Sequence, residues 1–170
     1  VYAARFAREL ARSHAGEFLV RFEDIDITRV REPYYSEILS DLEWLGFTWD
    51  ETPLRQTSRQ AAYLEALEEL KLQKLVYPCF CTRKSIEAEL AHMTNAPHGP
   101  EGTHYPGICK NLSQDELHER FSSGVLPSWR FDSKRATELY PDLTFQDSFH
   151  GTLKVEPTTL GDTILARKDI

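Results

Sequence analysis

All three cysteines of the chain fall between positions 79 and 109, a pair in "PCFCTRK" and a single one in "HYPGICK". Between them runs "TNAPHGPEGTHYPG" (94–107), with three prolines and three glycines. Such a stretch is a loop by composition and brings little apolar material to order itself. Whatever this part of the chain folds into must therefore hold that loop in place, and the thiols are the obvious clip. A Cys79–Cys81 disulfide would close a very small, strained ring. No basic-then-apolar leader argues for an oxidising compartment, and a redox pair would more often read C-x-x-C.

Metal binding fits better. Zinc prefers thiolates and nitrogen in a four-coordinate tetrahedron. Three cysteines leave one position, and the loop offers His98, His104 and Tyr105. A phenol must lose a proton with a pKa near ~10 to serve as an anionic ligand, so donor chemistry alone favours a histidine. A bound zinc would be structural, contributing roughly 10 kcal/mol of apparent folding free energy. The alternative is that the cysteines are packing residues.

Ahead of the sulfur region, "VYAARFARELARSHAGEF" spaces Tyr2, Phe6 and Leu10 four apart, which predicts a helix with one apolar stripe and Gly16 as its left-handed cap. "EFLVRF" (17–22) reads as a strand, and "YSEILSDLEWLGF" as a second helix closed by Gly46. Thr57 or Ser58 is placed to N-cap a third helix running to about Leu75. Helix, strand and helix in this order predict an α/β sheet with crossover helices. After "LVYPCF", a strand or extended entry, the pattern changes. "SQDELHERFSSG" carries the capping box Ser113/Glu116. "LPSWRFD", "LTFQDSF", "GTLKVE" and "DTILARK" are short strand-like runs of an antiparallel or mixed insert.

"VRFEDID" sets Glu23, Asp24 and Asp26 directly after a strand. Ligands of open α/β sheets bind beyond the carboxyl ends of strands, where a carboxylate can accept from a substrate ammonium group. Alternation along the strand directs Glu23 and Asp24 to opposite sides, so one of them is expected to face a pocket. Read without a partner, the cluster is a solvated acidic turn. The net charge of −7 speaks against a nucleic-acid partner, although a local patch can act within an acidic whole. Trp44, Trp49 and Trp129 are expected to pack, since aromatics bury large areas. Arg29, Arg31, Arg83 and Lys84 are read as solvated.

Taken in order, "GEFLVRFEDID", "ILSDLEWLGFTWDE" and "RQTSRQAAYLEAL" resemble the catalytic domain of the glutamyl-tRNA synthetases, class I aminoacyl-tRNA synthetases. "SWRF", "FQDSFHG" and "GDTILARKD" look like the family's return from its inserted acceptor-binding region. The resemblance implies an α/β fold: a Rossmann-like nucleotide-binding catalytic domain with a zinc-bearing α+β insertion. It implies three segments: 1–75 as the first half of the catalytic domain, 76–158 as the inserted region, and 159–170 as the return. C-x-C followed by Tyr-x-x-x-Cys resembles the zinc signature of a truncated branch of the family, the glutamyl-Q tRNA(Asp) synthetases. By that resemblance the ligands are Cys79, Cys81, Tyr105 and Cys109, with one structural Zn2+, against the preference for His98 or His104.

The same resemblance implies activation of L-glutamate with ATP, with Mg2+, and transfer of glutamate to the queuosine base of tRNA(Asp). It assigns Glu23 to the substrate's amino group and Asp26 to a position near the acceptor nucleotide. The alternatives are a glutamyl-tRNA synthetase charging tRNA(Glu), or a catalytically silent zinc-binding module that meets tRNA. The family's two ATP motifs are absent from the sequence, Val1 is first and Met93 is the sole methionine. These observations lead to the expectation of an internal piece of a longer, cytoplasmic protein, inactive by itself. No run of about 18 apolar residues points to a membrane span.

Overall fold

The computed structural model describes residues 1–92 and 104–168 together with the backbone of 98–99 and 102–103. The chain divides into two compact units, Val1–Leu64 and Glu65–Ile170.

The first unit is built around one parallel crossover. Strand β1 (Arg21–Phe22) pairs with β2 (Leu54–Arg55), and helix α2 (Glu32–Trp44) lies between them in sequence. A parallel pair needs such a crossover, because a tight turn cannot return the chain in the same direction. Pro33 stands in the first turn of α2, where its missing N–H costs nothing. Gly46 then takes φ of 77°, and the Phe47 N–H bonds back to the Leu42 carbonyl at 2.9 Å. Phe18 and Phe47 are buried with ring centroids 6.3 Å apart.

The expected strand over 17–22 is shorter. Only Arg21 and Phe22 join the ladder. Upstream, Phe18 bonds instead through Asp50, its N–H donating to the carboxylate at 2.7 Å and its carbonyl accepting from Asp50 N–H at 3.1 Å. Helix α1 (Tyr2–Ser13) forms as predicted; its apolar stripe, Tyr2, Phe6 and Leu10, is exposed, and α1 buries no residue. Its end also differs. The left-handed residue is Ala15, with φ of 51°, because the Gly16 N–H folds back onto the Ala11 carbonyl at 2.8 Å.

Helix α3 (Gln60–Leu72) is preceded by a 3-10 turn, Gln56–Arg59. Neither Thr57 nor Ser58 caps it. The Thr57 hydroxyl donates to Asp24, and that of Ser58 to the Arg55 carbonyl at 2.7 Å.

The second unit is organised by an antiparallel three-stranded sheet. Strand β3 (Val76–Cys79) pairs with β6 (Ser128–Phe131), and β6 pairs with β9 (Ile164–Ala166). Leu67, Val76 and Ala166 form one small core with Leu70 and Trp129 against it. Helix α4 (Arg83–His92) follows β3, and its N-terminus is held by Thr82 and Ser85, each side chain bonding the other's backbone N–H. The two-residue strands β4 (His98–Gly99) and β5 (Gly102–Thr103) pair antiparallel. Most of the proline-glycine loop around them lies outside the described residues.

Helix α5 (Gln114–Ser122) carries the predicted capping box, Ser113 and Glu116 each bonding the other's backbone N–H. Helix α6 (Ser133–Leu139) is capped by Asp132, and strands β7 (Thr144–Asp147) and β8 (Gly151–Lys154) form a hairpin. All four strand-like runs named from sequence thus become β6 to β9. Among the tryptophans, Trp129 packs and carries the Lys71 ammonium 3.9 Å from its ring, whereas Trp44 is 85% exposed, against expectation. No helix of the described residues is long and apolar enough to cross a membrane.

Candidate functional site

Two places gather chemistry, one in each unit. In the first, the chain leaving β1 and the start of α2 enclose a cleft of about 360 Å³, the size of a small-molecule site. Glu23, Asp24 and Asp26 line it, with Arg29, Arg31 and Tyr34 facing them.

The three acids differ in what their oxygens do. Asp24 is buried at 4% exposure. It accepts from Tyr35 Oη at 2.7 Å, from Thr57 Oγ1 at 2.8 Å and from Thr57 N–H at 2.9 Å. Burial pushes its carboxyl up, but the bonds from Tyr35 and Thr57 outweigh that and hold it below the usual carboxylate value. Tyr35 is raised correspondingly by its bond to Asp24. Its ring packs edge-on to Phe22 at 4.9 Å, and the Arg55 guanidinium, paired with Glu32, lies 3.7 Å from its centre.

Asp24 is therefore a structural knot. Both neighbouring acids reach the cleft wall, rather than one alone, but only Glu23 leaves its carboxylate exposed. Glu23 pairs with Arg21 at 2.9 Å, and its side chain is 71% exposed. Asp26 caps its own turn, accepting from Thr28 Oγ1 at 2.6 Å and meeting Arg29 Nε at 3.4 Å. Arg29 and Arg31 are exposed at the same rim.

In the second unit, β3 delivers Cys79 to the interior at 0% exposure, and Cys81 follows two residues later. Cys109 approaches from a turn after Gly107, whose φ of 82° lets the chain reverse there. The three sulfurs lie within 4.8 Å of one another, and all three thiols are free. Cys81 Sγ and Cys109 Sγ are 3.4 Å apart. Tyr105 Oη stands 3.4 Å from both Cys79 Sγ and Cys81 Sγ and accepts the Cys109 N–H at 2.9 Å. Phe80, Leu112 and Leu117 pack around them.

The donor set fits a tetrahedral zinc. With zinc–sulfur bonds of about 2.3 Å, neighbouring sulfurs of a tetrahedron sit about 3.8 Å apart, and an oxygen corner somewhat closer. His104 does not join this set. Its ring lies against Gly161, where a Cβ would come within 2.7 Å of the ring. The side chain of His98, the other histidine candidate, lies outside the described residues.

Without metal, burial tends to raise the Cys79 thiol, but the nearby Tyr105 hydroxyl and Arg130 guanidinium bring it down to about 7. Burial and the neighbouring cysteines push Cys81 up to about 11. Burial and the cysteine contacts raise Tyr105.

Sequence reasoning missed what surrounds the sulfurs. Asp162 accepts from Tyr77 Oη at 2.7 Å, Lys110 Nζ at 2.9 Å, Ser133 Oγ at 2.7 Å and Ser133 N–H at 3.0 Å. Lys110 also pairs with Asp132 at 2.9 Å. Asp162 and these partners lie on four separate stretches of chain, and no spacing rule links them.

Comparison with known proteins places these features. The family described as tRNA synthetases class I (E and Q), catalytic domain, matches residues 1–170. A glutamyl-Q tRNA(Asp) synthetase of Rhodobacter capsulatus is 38% identical over 174 residues, covering 99% of the chain and 62% of the relative. A glutamate–tRNA ligase 2 of Nitrosococcus oceani is 32% identical over 177 residues, covering 99% and 36%. The chain thus spans less than two thirds of the length of these relatives. The crystal structure of a glutamate tRNA ligase from Elizabethkingia meningosepticum, in complex with its amino acid, matches 98% of the chain at a TM-score of 0.72 and 22% identity. That likeness speaks for the fold, that of a mixed α/β catalytic domain.

Proposed function

The chain belongs to the class I tRNA synthetase (E and Q) catalytic-domain family, and from that premise we propose that it serves ATP-dependent activation of L-glutamate and transfer of the glutamate to the queuosine base of tRNA(Asp). The observation that carries the choice of branch is the Cys79–Cys81–Tyr105–Cys109 cluster, with the phenol oxygen 3.4 Å from two sulfurs. The greater identity to the glutamyl-Q tRNA(Asp) synthetase than to the glutamate–tRNA ligase points the same way.

Glutamate enters the cleft at the end of β1. Glu23 is the exposed carboxylate there and takes the substrate's ammonium group, a charge-assisted bond. Its pairing with Arg21 is between exposed groups, and such pairs are worth only about 0–1 kcal/mol, so a ligand displaces Arg21 readily. Asp26 stands at the same wall, near the accepting nucleotide in this reading. Asp24 shapes the cleft and takes no ligand, since Tyr35 and Thr57 occupy its oxygens. Cys79, Cys81, Tyr105 and Cys109 hold one Zn2+, which when bound cross-links β3 to the loop before α5 and performs no chemistry. ATP is a substrate, with Mg2+.

A second reading, charging of tRNA(Glu), draws support from the 32% identity to the Nitrosococcus oceani ligase. The deciding experiment uses the full-length protein with radiolabelled glutamate and ATP. The label should appear on queuosine-containing tRNA(Asp) and not on tRNA(Glu). Label on the 3′ end of tRNA(Glu) establishes the second reading. Lack of glutamate-dependent pyrophosphate exchange removes both.

A further inference from the structure

Arg130 lies on the central strand β6, and its residue is only 7% exposed. A buried guanidinium is costly unless anions or aligned dipoles meet it. The nearest carboxylate in its network, Asp162, is turned to Lys110, Tyr77 and Ser133. It offers Arg130 only its main-chain oxygen, which accepts from Nη1 at 2.8 Å. Among the described residues, the buried Nε of Arg130 has no hydrogen-bond partner. Lys110, half-buried, is held by Asp132 and Asp162. Lys168 reaches the Phe80 carbonyl at 3.3 Å.

What Arg130 does face is the sulfur cluster. Its guanidinium carbon stands 3.7 Å from the centre of the Tyr105 ring, the ring whose hydroxyl touches Cys79 and Cys81. A divalent ion on three thiolates leaves the set anionic before the phenol is counted. Zinc ligands are oriented and tuned by the groups around them, and those groups matter nearly as much as the ligands themselves. Arginine suits this place better than lysine. Its plane can stack on a ring while its N–H groups donate in other directions.

We propose that Arg130 is a positioning residue of the zinc site, fixing the Tyr105 ring by stacking and supplying the positive charge that balances the Cys79–Cys81–Cys109–Tyr105 donor set. Arg130 is in turn aimed by the Asp162 carbonyl, and the Lys110–Tyr77–Ser133 grip on Asp162 holds that carbonyl in place. The proposal rests on the reading of the cluster as a zinc site.

The test strips the full-length protein of metal, reloads it with Zn2+, and measures affinity by competition with a chromophoric chelator. Wild type, R130Q and R130K are compared, together with the melting temperature of each metal-free form. R130Q is expected to bind zinc roughly 10–100-fold more weakly. R130K, which keeps charge but loses the plane, should lose less, within about tenfold. If R130Q fails to fold, R130K decides alone. Wild-type zinc affinity in the variants, with a lowered melting temperature of the metal-free form, would show Arg130 to be a brace only and overturn the proposal. A wild type that takes up no zinc removes the site itself and the proposal with it.

Discussion

The hydroxyl of Tyr77 on β3 donates to the carboxylate of Asp162 at 2.7 Å, across 85 positions of sequence. Lys110 and Ser133 converge on the same carboxylate, so one side chain ties together β3, the turn after Cys109, the start of α6 and the entry to β9. Burial tends to raise Asp162, but the bonds from Lys110, Ser133 and Tyr77 outweigh it and hold the carboxyl below its ordinary value. Burial and the bond to Asp162 push Tyr77 well up. Tyr77→Phe removes one donor and leaves the others, so it should cost about 1 kcal/mol. Asp162→Ala leaves Tyr77, Ser133 and Lys110 without their acceptor and should cost about 3 kcal/mol or more. Urea unfolding at neutral pH checks the order. Equal costs would mean the carboxylate is not the hub.

Asp24 sets a pH limit on the first unit. Its carboxyl lies below the ordinary value in the folded chain and near about 3.9 in an unfolded one. Between those values the unfolded chain binds more protons, so stability rises with pH through that window. The contribution is fully present above about pH 4 and is lost as pH falls through the folded value. Asp24→Asn removes the charge and gives the cavity an NH2 that cannot accept from Tyr35 or Thr57. It should cost about 1–2 kcal/mol at pH 7, and the gap to wild type should close on acidification below about pH 4. Hydrogen exchange of the Thr57 amide, read against pH, reports this unit alone. A gap that stays constant with pH would exclude a charge effect.

What could be read from sequence was local. Ser113 and Glu116 are three apart, and their capping box holds α5 as expected. The alternating runs around Trp129 and Leu165 became strands. Cysteine spacing brought the three sulfurs together on paper before the fold did. What could not be read was decided by tertiary partners. Thr57 looks like a cap, but Asp24 claims its hydroxyl and its N–H. Helix α6 is short and rests on the Asp132 cap and burial of Ser133 and Ala136, leaving almost no periodicity to detect. Helix α4 has few apolar residues. The stacking of Arg130 on Tyr105 joins residues on different strands and loops, which no spacing announces. In the sulfur loop, donor chemistry preferred histidine, whereas the close approach at Gly161 shows where the His104 ring went instead.

The zinc reading predicts a stoichiometry near one metal per chain by elemental analysis. Cys81→Ser keeps the size of the side chain but replaces a thiolate with a poor ligand. It should abolish tight zinc binding. It should also lower the melting temperature of the zinc-loaded protein, since metal binding and folding of the loop are one equilibrium. Adding a chelator to wild type should reproduce most of that drop, while the same chelator should barely move the variant. A well-folded wild type without metal, insensitive to chelator, would contradict the assignment.

Glu23 provides the sharpest test of the cleft. Its carboxylate is exposed and, among the described residues, pairs with Arg21 alone, while neighbouring Asp24 is engaged by Tyr35 and Thr57. If Glu23 receives the ammonium group of glutamate, Glu23→Ala in the full-length protein removes a charge-assisted hydrogen bond worth about 1.5–3 kcal/mol. That converts to a rise of roughly 10–100-fold in the KM for glutamate, read in glutamate-dependent pyrophosphate exchange. The KM for ATP should stay within about twofold, because the lost contact is to the amino acid alone. Stability should hardly change, since exposed pairs of this kind contribute about 0–1 kcal/mol. Glu23→Gln keeps an acceptor without the charge and should fall between. An unchanged glutamate KM in Glu23→Ala would move the ammonium site elsewhere in the cleft, with Asp26 next in line, since it shares the wall.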